Sequence, residues 1–253
     1  MTPRASEIKQ SVLSLGSPAQ AEHSLRFFKA GKGQYGYGDK FCGVRNPEVR
    51  LVVKCSKNLV SLSDIESLLA DDIHEVRLVG LLLLVELMKN ADRQLRKPKS
   101  VMTDLGNIES LVDFYLAHAE RANNWDLVDL SAPYTLGLYL TYDSVSESRK
   151  LAILDSLSDS DNLWRQRISV VSTLMPIRHY DITYALRQSL RHLRHPHDLM
   201  HKAVGWTLRE VGKKDTDALR QFLTENLHFM SRTTLRYAIE RLSEYERQEW
   251  LKK

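Results

Sequence analysis

Trp125 and Asp129 stand four residues apart in the stretch Asn123-Asn124-Trp125-Asp126-Leu127-Val128-Asp129-Leu130. The stretch reads as the opening turns of a helix. The Asn124 side chain can accept an orphan backbone N–H there and so cap the helix. Asp126 then falls in the first turn, where the helix dipole favours a carboxylate. Asp129 lies a turn further in, beyond the reach of capping, and its spacing from Trp125 puts indole and carboxylate on one helix face. An aromatic plane beside an acid that no capping rule explains is a candidate chemical site. The competing reading is a core indole and a solvated surface acid, which is the commoner arrangement in proteins.

The elements around that stretch decide between the two. The chain has 253 residues, with 43% hydrophobic and 27% charged side chains, an ordinary balance for a globular protein with a sizeable core. Thirty-six Lys and Arg against 32 Asp and Glu leave a net charge of +4, too small to prove an anionic partner by itself. Two cysteines, Cys42 and Cys55, are too few for a disulfide framework or a four-ligand zinc site. The longest strongly apolar run, Leu78 to Val85, is far too short to span a bilayer, and Met1 to Leu15 lacks a signal-peptide core. A soluble, cytoplasmic protein with no membrane contact is the expectation.

Taken in order, residues 2 to 30 predict a helical pair broken at Gly16-Ser17-Pro18. Five of the eleven glycines follow: Gly31, Gly33, Gly36, Gly38 and Gly43. Gly31-x-Gly33-x-x-Gly36 matches a dinucleotide fingerprint in form only, because it follows a helix and no helix opens inside it. A mobile loop is the expectation, with bare amides, Tyr37 and Lys40 placed to approach a phosphate backbone. Asn46 is then expected to cap a helix with Pro47 in its first position. From there helix follows helix, with breaks near Asn58–Ser63, Ala91–Ser100, Thr141–Ser146, Ser158–Asp161, His195–His197, Gly212–Asp215 and Phe229–Thr233. No stretch alternates with period two long enough for a sheet, so the fold class is all-α.

Stacking these helices exposes a degenerate internal repeat. Segments at His74–Leu81, Leu163–Val171, Met200–Trp206 and Thr234–Glu240 each carry a basic residue followed directly by an apolar stripe, and Asn124–Ala132 joins the register. The steps 77→129, 129→167, 167→202 and 202→236 are 52, 38, 35 and 34 residues. Periods in the thirties with two helices per unit predict a HEAT-like α-solenoid over residues 1–253, taken as a single domain, with residues 1–42 as an N-terminal helical pair plus the glycine-rich loop. Equivalent positions of a solenoid line up, so Arg77, Arg167, Lys202 and Arg236, extended by Arg50, are expected to form a basic row on a concave face, suited to a polyanion. Asp129 occupies the one acidic slot in that row. An acid there weakens nucleic-acid binding and needs a reason, and catalysis is one. Trp206, four residues after Lys202, faces the same row; with Trp125 it offers a second indole for stacking and cation–π contact. Trp164 and Trp250 read as packing.

His192, His195, His197 and His201 form a dense cluster, but Pro196 splits it and no acid or cysteine completes a ligand set. An inter-helix turn is the expectation and no metal is assigned. No Gly-x-Ser-x-Gly elbow, His-Glu-x-x-His pair or Cys/His nucleophile signature is present.

Five segments carry a resemblance: Gly43-Val-Arg45-Asn-Pro-Glu48, Asn124-Trp-Asp-Leu-Val-Asp129, Leu163-Trp-Arg-Gln-Arg167, Lys202-Ala-Val-Gly-Trp206-Thr-Leu-Arg-Glu210 and Leu235-Arg-Tyr-Ala238. In this order they resemble the DNA alkylation repair family, the AlkD-type alkylpurine DNA glycosylases built from HEAT-like repeats. The resemblance implies excision of cationic alkylated purines such as 7-methylguanine and 3-methyladenine from duplex DNA. It implies Asp129 as the catalytic aspartate, flanked by Trp125 and Trp206, and Arg167 as a DNA contact; Arg45 lies in the first matching segment and joins the candidate DNA-binding residues. A monofunctional enzyme follows, with no cofactor, acting as a monomer on DNA in the cytoplasm and nucleoid. Two other classes stay open: a non-catalytic binder of DNA structure on the same scaffold, and a protein-interaction solenoid whose basic row meets an acidic partner.

Overall fold

The computed structural model describes residues 1–96 and 106–253. Among these the chain is all-α, and the sole β feature is one isolated bridge, Lys40 to Ile73. It divides into two compact units, Met1–Thr135 and Leu136–Lys253.

The first unit holds α1 (Pro3–Leu13), α2 (Pro18–Phe27), α3 (Asn46–Ser56), α4 (Leu62–Leu69), α5 (His74–Leu95), α6 (Gly106–Ala117) and α7 (Trp125–Ser131). The expected break between α1 and α2 falls at Gly16–Ser17, where the Ser17 hydroxyl caps α2. α5 is the centre. Val76 to Val85 is buried on every side, as a helix apolar all round must be, and α3, α4, α6 and α7 pack against it. The apolar run Leu78–Val85 is thus the middle of this helix, and no helix among the described residues is long and apolar enough to cross a membrane. The break expected over Ala91–Ser100 begins only after Leu95; residues 97–105, where it would continue, lie outside the described residues.

Two expectations in this unit are corrected. Asn46 does not cap α3: the helix already includes it, Arg45 takes the cap position in extended backbone, and no side chain bonds the first turn. The loop 31–43 is also anchored at its far end. The Glu75 carboxylate accepts from the amides of Cys42 (3.1 Å), Gly43 (2.8 Å) and Val44 (3.2 Å), so an internal acid takes the N–H groups offered to a phosphate. Gly43 sits at φ +81, and a Cβ there would lie 2.1 Å from Ser17 O, which only glycine avoids.

The second unit holds α8 (Leu136–Tyr139), α9 (Glu147–Ser158), α10 (Leu163–Val171), α11 (Leu174–Arg178), α12 (Thr183–Arg191), α13 (Asp198–Lys214), α14 (Thr216–Asn226), α15 (Arg232–Ala238) and α16 (Glu244–Lys252). α13 is its centre, with α10, α11, α12, α14 and α15 packed on it. Trp164 and Trp250 are buried, as a packing role requires. Two breaks between α10 and α12 gave no sign in the apolar periodicity. Ser172 and Thr173 bond back to the carbonyls of Ser169 and Val170, and Pro176 has no N–H to continue the ladder. The expected break over Gly212–Asp215 falls at its far end, where α13 stops at Lys214 and Asp215 caps α14.

Equivalent helices of the repeat do stack within each unit. α5 packs on α7 in the first, and α10 on α13 on α15 in the second.

Candidate active site

The α7 segment starts where the sequence places it. Asn124 is fully buried, and its Oδ1 accepts from the Trp125 amide at 2.9 Å. Leu127, Val128 and Ser131 turn inward, while Trp125 and Asp129 are half-buried. The Ser131 hydroxyl bonds back to Leu127 O at 2.6 Å and meets the Tyr115 hydroxyl at 3.0 Å. Burial pushes the Tyr115 phenol up, and the Asp129 carboxylate adds to that shift, so the acid lies within electrostatic reach of this buried pair.

Asp126 is the surprise. Its place in the first turn accounts for it as a dipole partner, yet it is 6% exposed and its Oδ2 lies 2.9 Å from His74 Nε2. The other ring nitrogen, Nδ1, lies 2.8 Å from Asp39 Oδ2. Asp39 also receives the Arg77 guanidinium on its second oxygen. Burial alone would raise the Asp39 carboxyl, but His74 and Arg77 together hold it below the usual carboxylate range. Burial also opposes charge on His74, and is outweighed by Asp126 and Asp39, which raise the imidazole to about 9. Phe28 and Phe41 lie against the imidazole with ring centroids 4.9 and 4.7 Å away. Phe28 continues to Trp125 at 5.5 Å, and Phe27 meets Trp125 edge-on at 5.9 Å. Trp125 is therefore held through its ring by two phenylalanines, and through its neighbour Asp126 by a buried ionic cluster.

The basic row is less uniform than its register predicts. Arg77 is a correction: it is 2% exposed, with its guanidinium on Asp39 and on Asp71 O at 3.0 Å, so no phosphate reaches it in this conformation. A long cation next to an apolar stripe can serve the core when a buried carboxylate and a carbonyl receive it, and here both do. Arg167 is likewise buried, at 4%, with Nη1 on Leu199 O at 2.5 Å in the first turn of α13. Lys202 is half-exposed and paired with Asp198 at 2.7 Å. Arg236 is exposed on α15, and Trp206 is half-buried on α13. Beside Trp206, Gly205 lets α15 approach so closely that a Cβ would lie 2.5 Å from that of Tyr237.

The remaining basic candidates are all at the surface. Arg45 pairs with Glu48 at 2.6 Å and Lys40 with Asp72 at 2.9 Å, and Tyr37 is 67% exposed on the glycine-rich loop. Arg50 joins Lys54, Lys57 and Lys89 around a groove of about 200 Å³ between α3 and α5, where Glu86 offsets one charge. The histidine cluster is spent on hydrogen bonds. His192 meets Ser158 and Ser169, His195 meets Gln166, His197 caps α13, and His201 bonds the carbonyl of His195.

Sequence reasoning missed Asp39, Phe28, Phe41 and the bonding roles of His74 and Asp126. The one available signal was His74-Glu75-x-Arg77, three polar side chains opening the helix that carries the apolar run Leu78–Val85, where each needs a partner.

A sequence model of the DNA alkylation repair enzyme family matches residues 8–242, which spans both units and the whole of this arrangement. The chain belongs to the DNA alkylation repair enzyme family. Membership places it in DNA repair, with DNA as its substrate. A solved structure described as a predicted DNA alkylation repair enzyme from Enterococcus faecalis superposes with a TM-score of 0.66 over 90% of this chain and 97% of that one. At 17% identity that likeness speaks for the shared helical fold. No curated protein matches the sequence.

Proposed function

We propose that this family member is an AlkD-type monofunctional DNA glycosylase, which hydrolyses the N-glycosidic bond of cationic alkylated purines, such as 7-methylguanine and 3-methyladenine, in duplex DNA. One observation carries the reading. Of the two acids at the start of α7, Asp126 is buried and neutralised by His74, while Asp129 stays half-exposed on the helix that presents Trp125.

The chemistry suits that pair. An alkylated purine already carries positive charge and leaves with the electron pair of the C1′–N bond without strong acid help. The sugar becomes cationic, a carboxylate stabilises it, and the same carboxylate directs a water onto C1′ and accepts its proton. The products are free alkylpurine and an abasic deoxyribose. The indole face of Trp125 stabilises nearby cationic charge, and the family resemblance implies the same part for Trp206. No step calls for a metal, an organic cofactor or a lysine nucleophile. Surface cations at Arg50, Arg45, Lys40, Lys202 and Arg236 suit duplex phosphates, and Tyr37 is exposed on the glycine-rich loop. Arg167 acts there only if its guanidinium leaves the Leu199 carbonyl.

The test is release of 7-methylguanine from duplex DNA, followed by alkaline cleavage of the abasic site. Asp129→Asn lowers single-turnover excision on the order of a hundredfold or more while leaving duplex binding intact or slightly tighter, since one negative charge is gone. A folded Asp129→Asn protein that releases base at the wild-type rate refutes the assignment. Wild-type protein that binds duplex but releases no base supports the non-catalytic binder instead.

A further inference from the structure

The buried cluster beneath Trp125 has a geometric peculiarity. Carboxylate oxygens face both nitrogens of the His74 ring, at 2.8 and 2.9 Å. A neutral imidazole has one N–H and one lone pair, so it can satisfy only one of the two. The other carboxylate would face a lone pair in a buried site. An imidazolium donates to both. Asp126 Oδ1 finds no hydrogen-bond donor among the described residues, which leaves His74 as the ring that holds this carboxylate. With Arg77 on Asp39, two anions meet two cations and the cluster is neutral.

The same ring joins three separate elements. His74 opens α5, Asp39 belongs to the glycine-rich loop, and Asp126 lies in the first turn of α7. The His74 amide also donates to Lys40 O at 2.7 Å, pinning the loop a second time. Trp125 precedes Asp126, and its ring rests on Phe28, which rests on His74.

We propose that His74 is a positioning residue of the site: as an imidazolium donating to Asp39 and Asp126 at once, it locks the glycine-rich loop to the start of α7 and so fixes Trp125 and Asp129. This role rests on the reading of Asp129 as the catalytic carboxylate, but its physical core, a doubly protonated buried ring, stands by itself. Two carboxylates face the ring, and the other charges lie beyond them. Asp39 and Lys40 lie on the loop, Asp126 on α7, Arg77 on α5, and Asp71, Asp72 and Arg121 behind Arg77. Glu75 is occupied by the amides of residues 42–44.

Loss of the proton breaks one of the two bonds, so the lock opens as pH rises through about 9. The first experiment is nitrogen NMR of histidine-labelled protein at pH 8. Expected is one ring with both nitrogens protonated, absent in His74→Gln, with the Trp125 indole resonance shifting as that ring titrates. A His74 ring that is neutral at pH 8 overturns the proposal whatever the excision assay gives. The second experiment is single-turnover excision from pH 7 to 10. Wild type loses rate through about 9. His74→Gln is slower on the order of tenfold or more, because small misplacement of a catalytic group is costly, and its profile is flat over the same range. Asp126→Asn removes one anion and moves the break to lower pH. A merely structural His74 would lower the melting temperature and leave the pH profile of the rate unmoved, and that result overturns the proposal. Activity that survives Asp129→Asn but still follows the His74 titration would sink the catalytic assignment of Asp129 and leave the lock in place.

Discussion

Replacing glycine by alanine at two helix positions is expected to give opposite signs. Gly205 in α13 and Gly80 in α5 both lie in helical backbone, where alanine is favoured by about 1 kcal/mol. What differs is the neighbour. At Gly205 a Cβ would stand 2.5 Å from Tyr237 Cβ and 2.7 Å from Thr234 O, the second of which is backbone. Ordinary carbon contacts are about 3.5–4.0 Å, so the shortfall is about 1 Å and no rotamer change relieves it. α15 must move away from α13. Overpacking of this kind costs about 1–3 kcal/mol, so after the helix gain Gly205→Ala is destabilised by up to about 2 kcal/mol. At Gly80 the nearest atoms are Leu68 Cβ at 3.1 Å and Leu69 Cδ2 at 3.2 Å, a shortfall of a few tenths against leucine side chains. Gly80→Ala is expected to be neutral or up to about 1 kcal/mol more stable. Thermal unfolding followed by circular dichroism reads both, since 1 kcal/mol shifts Tm by roughly 3–6 °C for units of this size. The movement also carries Tyr237 away from the helix that bears Trp206, so excision should fall with Gly205→Ala and not with Gly80→Ala. A Gly205→Ala protein with a Tm above wild type would mean that α13 and α15 do not approach as closely as argued.

Three further outcomes are expected. Burial, with the neighbouring His195 and Arg191 cations, lowers the His192 imidazole to about 4, so it folds neutral. Between pH 6.5 and 4 the unfolded chain then binds the extra proton, so stability falls as pH drops through that window, by up to about 3 kcal/mol; a His192→Gln protein should lack this part of the acid slope in denaturant titrations. His74 has the opposite sign: its stabilisation is complete below pH 6.5 and is lost as pH rises through about 9, which melts measured between pH 7 and 10 would show and His74→Gln would abolish. The double variant Arg50→Ala, Lys54→Ala removes two cations from the α3–α5 groove; if this groove meets DNA, the logarithmic salt slope of duplex binding drops by about two contacts, and an unchanged slope puts the DNA path elsewhere.

The sequence by itself determined the local structure of the candidate site. Asn124 caps α7 because its short amide reaches the first free N–H, which is a matter of neighbours along the chain. The all-α class and the stacking of α5 on α7 and of α10 on α13 and α15 were legible for a similar reason. Apolar stripes at helical spacing have to be buried, and repeated stripes bury one another. Tertiary structure decided which polar groups are spent inside. Arg77 and Asp126 look like surface charges one residue at a time, and their spacing places them on plausible solvent faces. They are buried because Asp39, from a loop 35 residues upstream of His74, and His74, 52 residues upstream of Asp126, arrive to neutralise them. The glycine-rich loop was open to a phosphate reading for the same reason, until Glu75 from α5 occupied the Cys42 and Gly43 amides at its far end. A charge costs too much to bury alone, so its fate depends on a partner, and a partner distant in the chain becomes visible only once the fold has brought the two together.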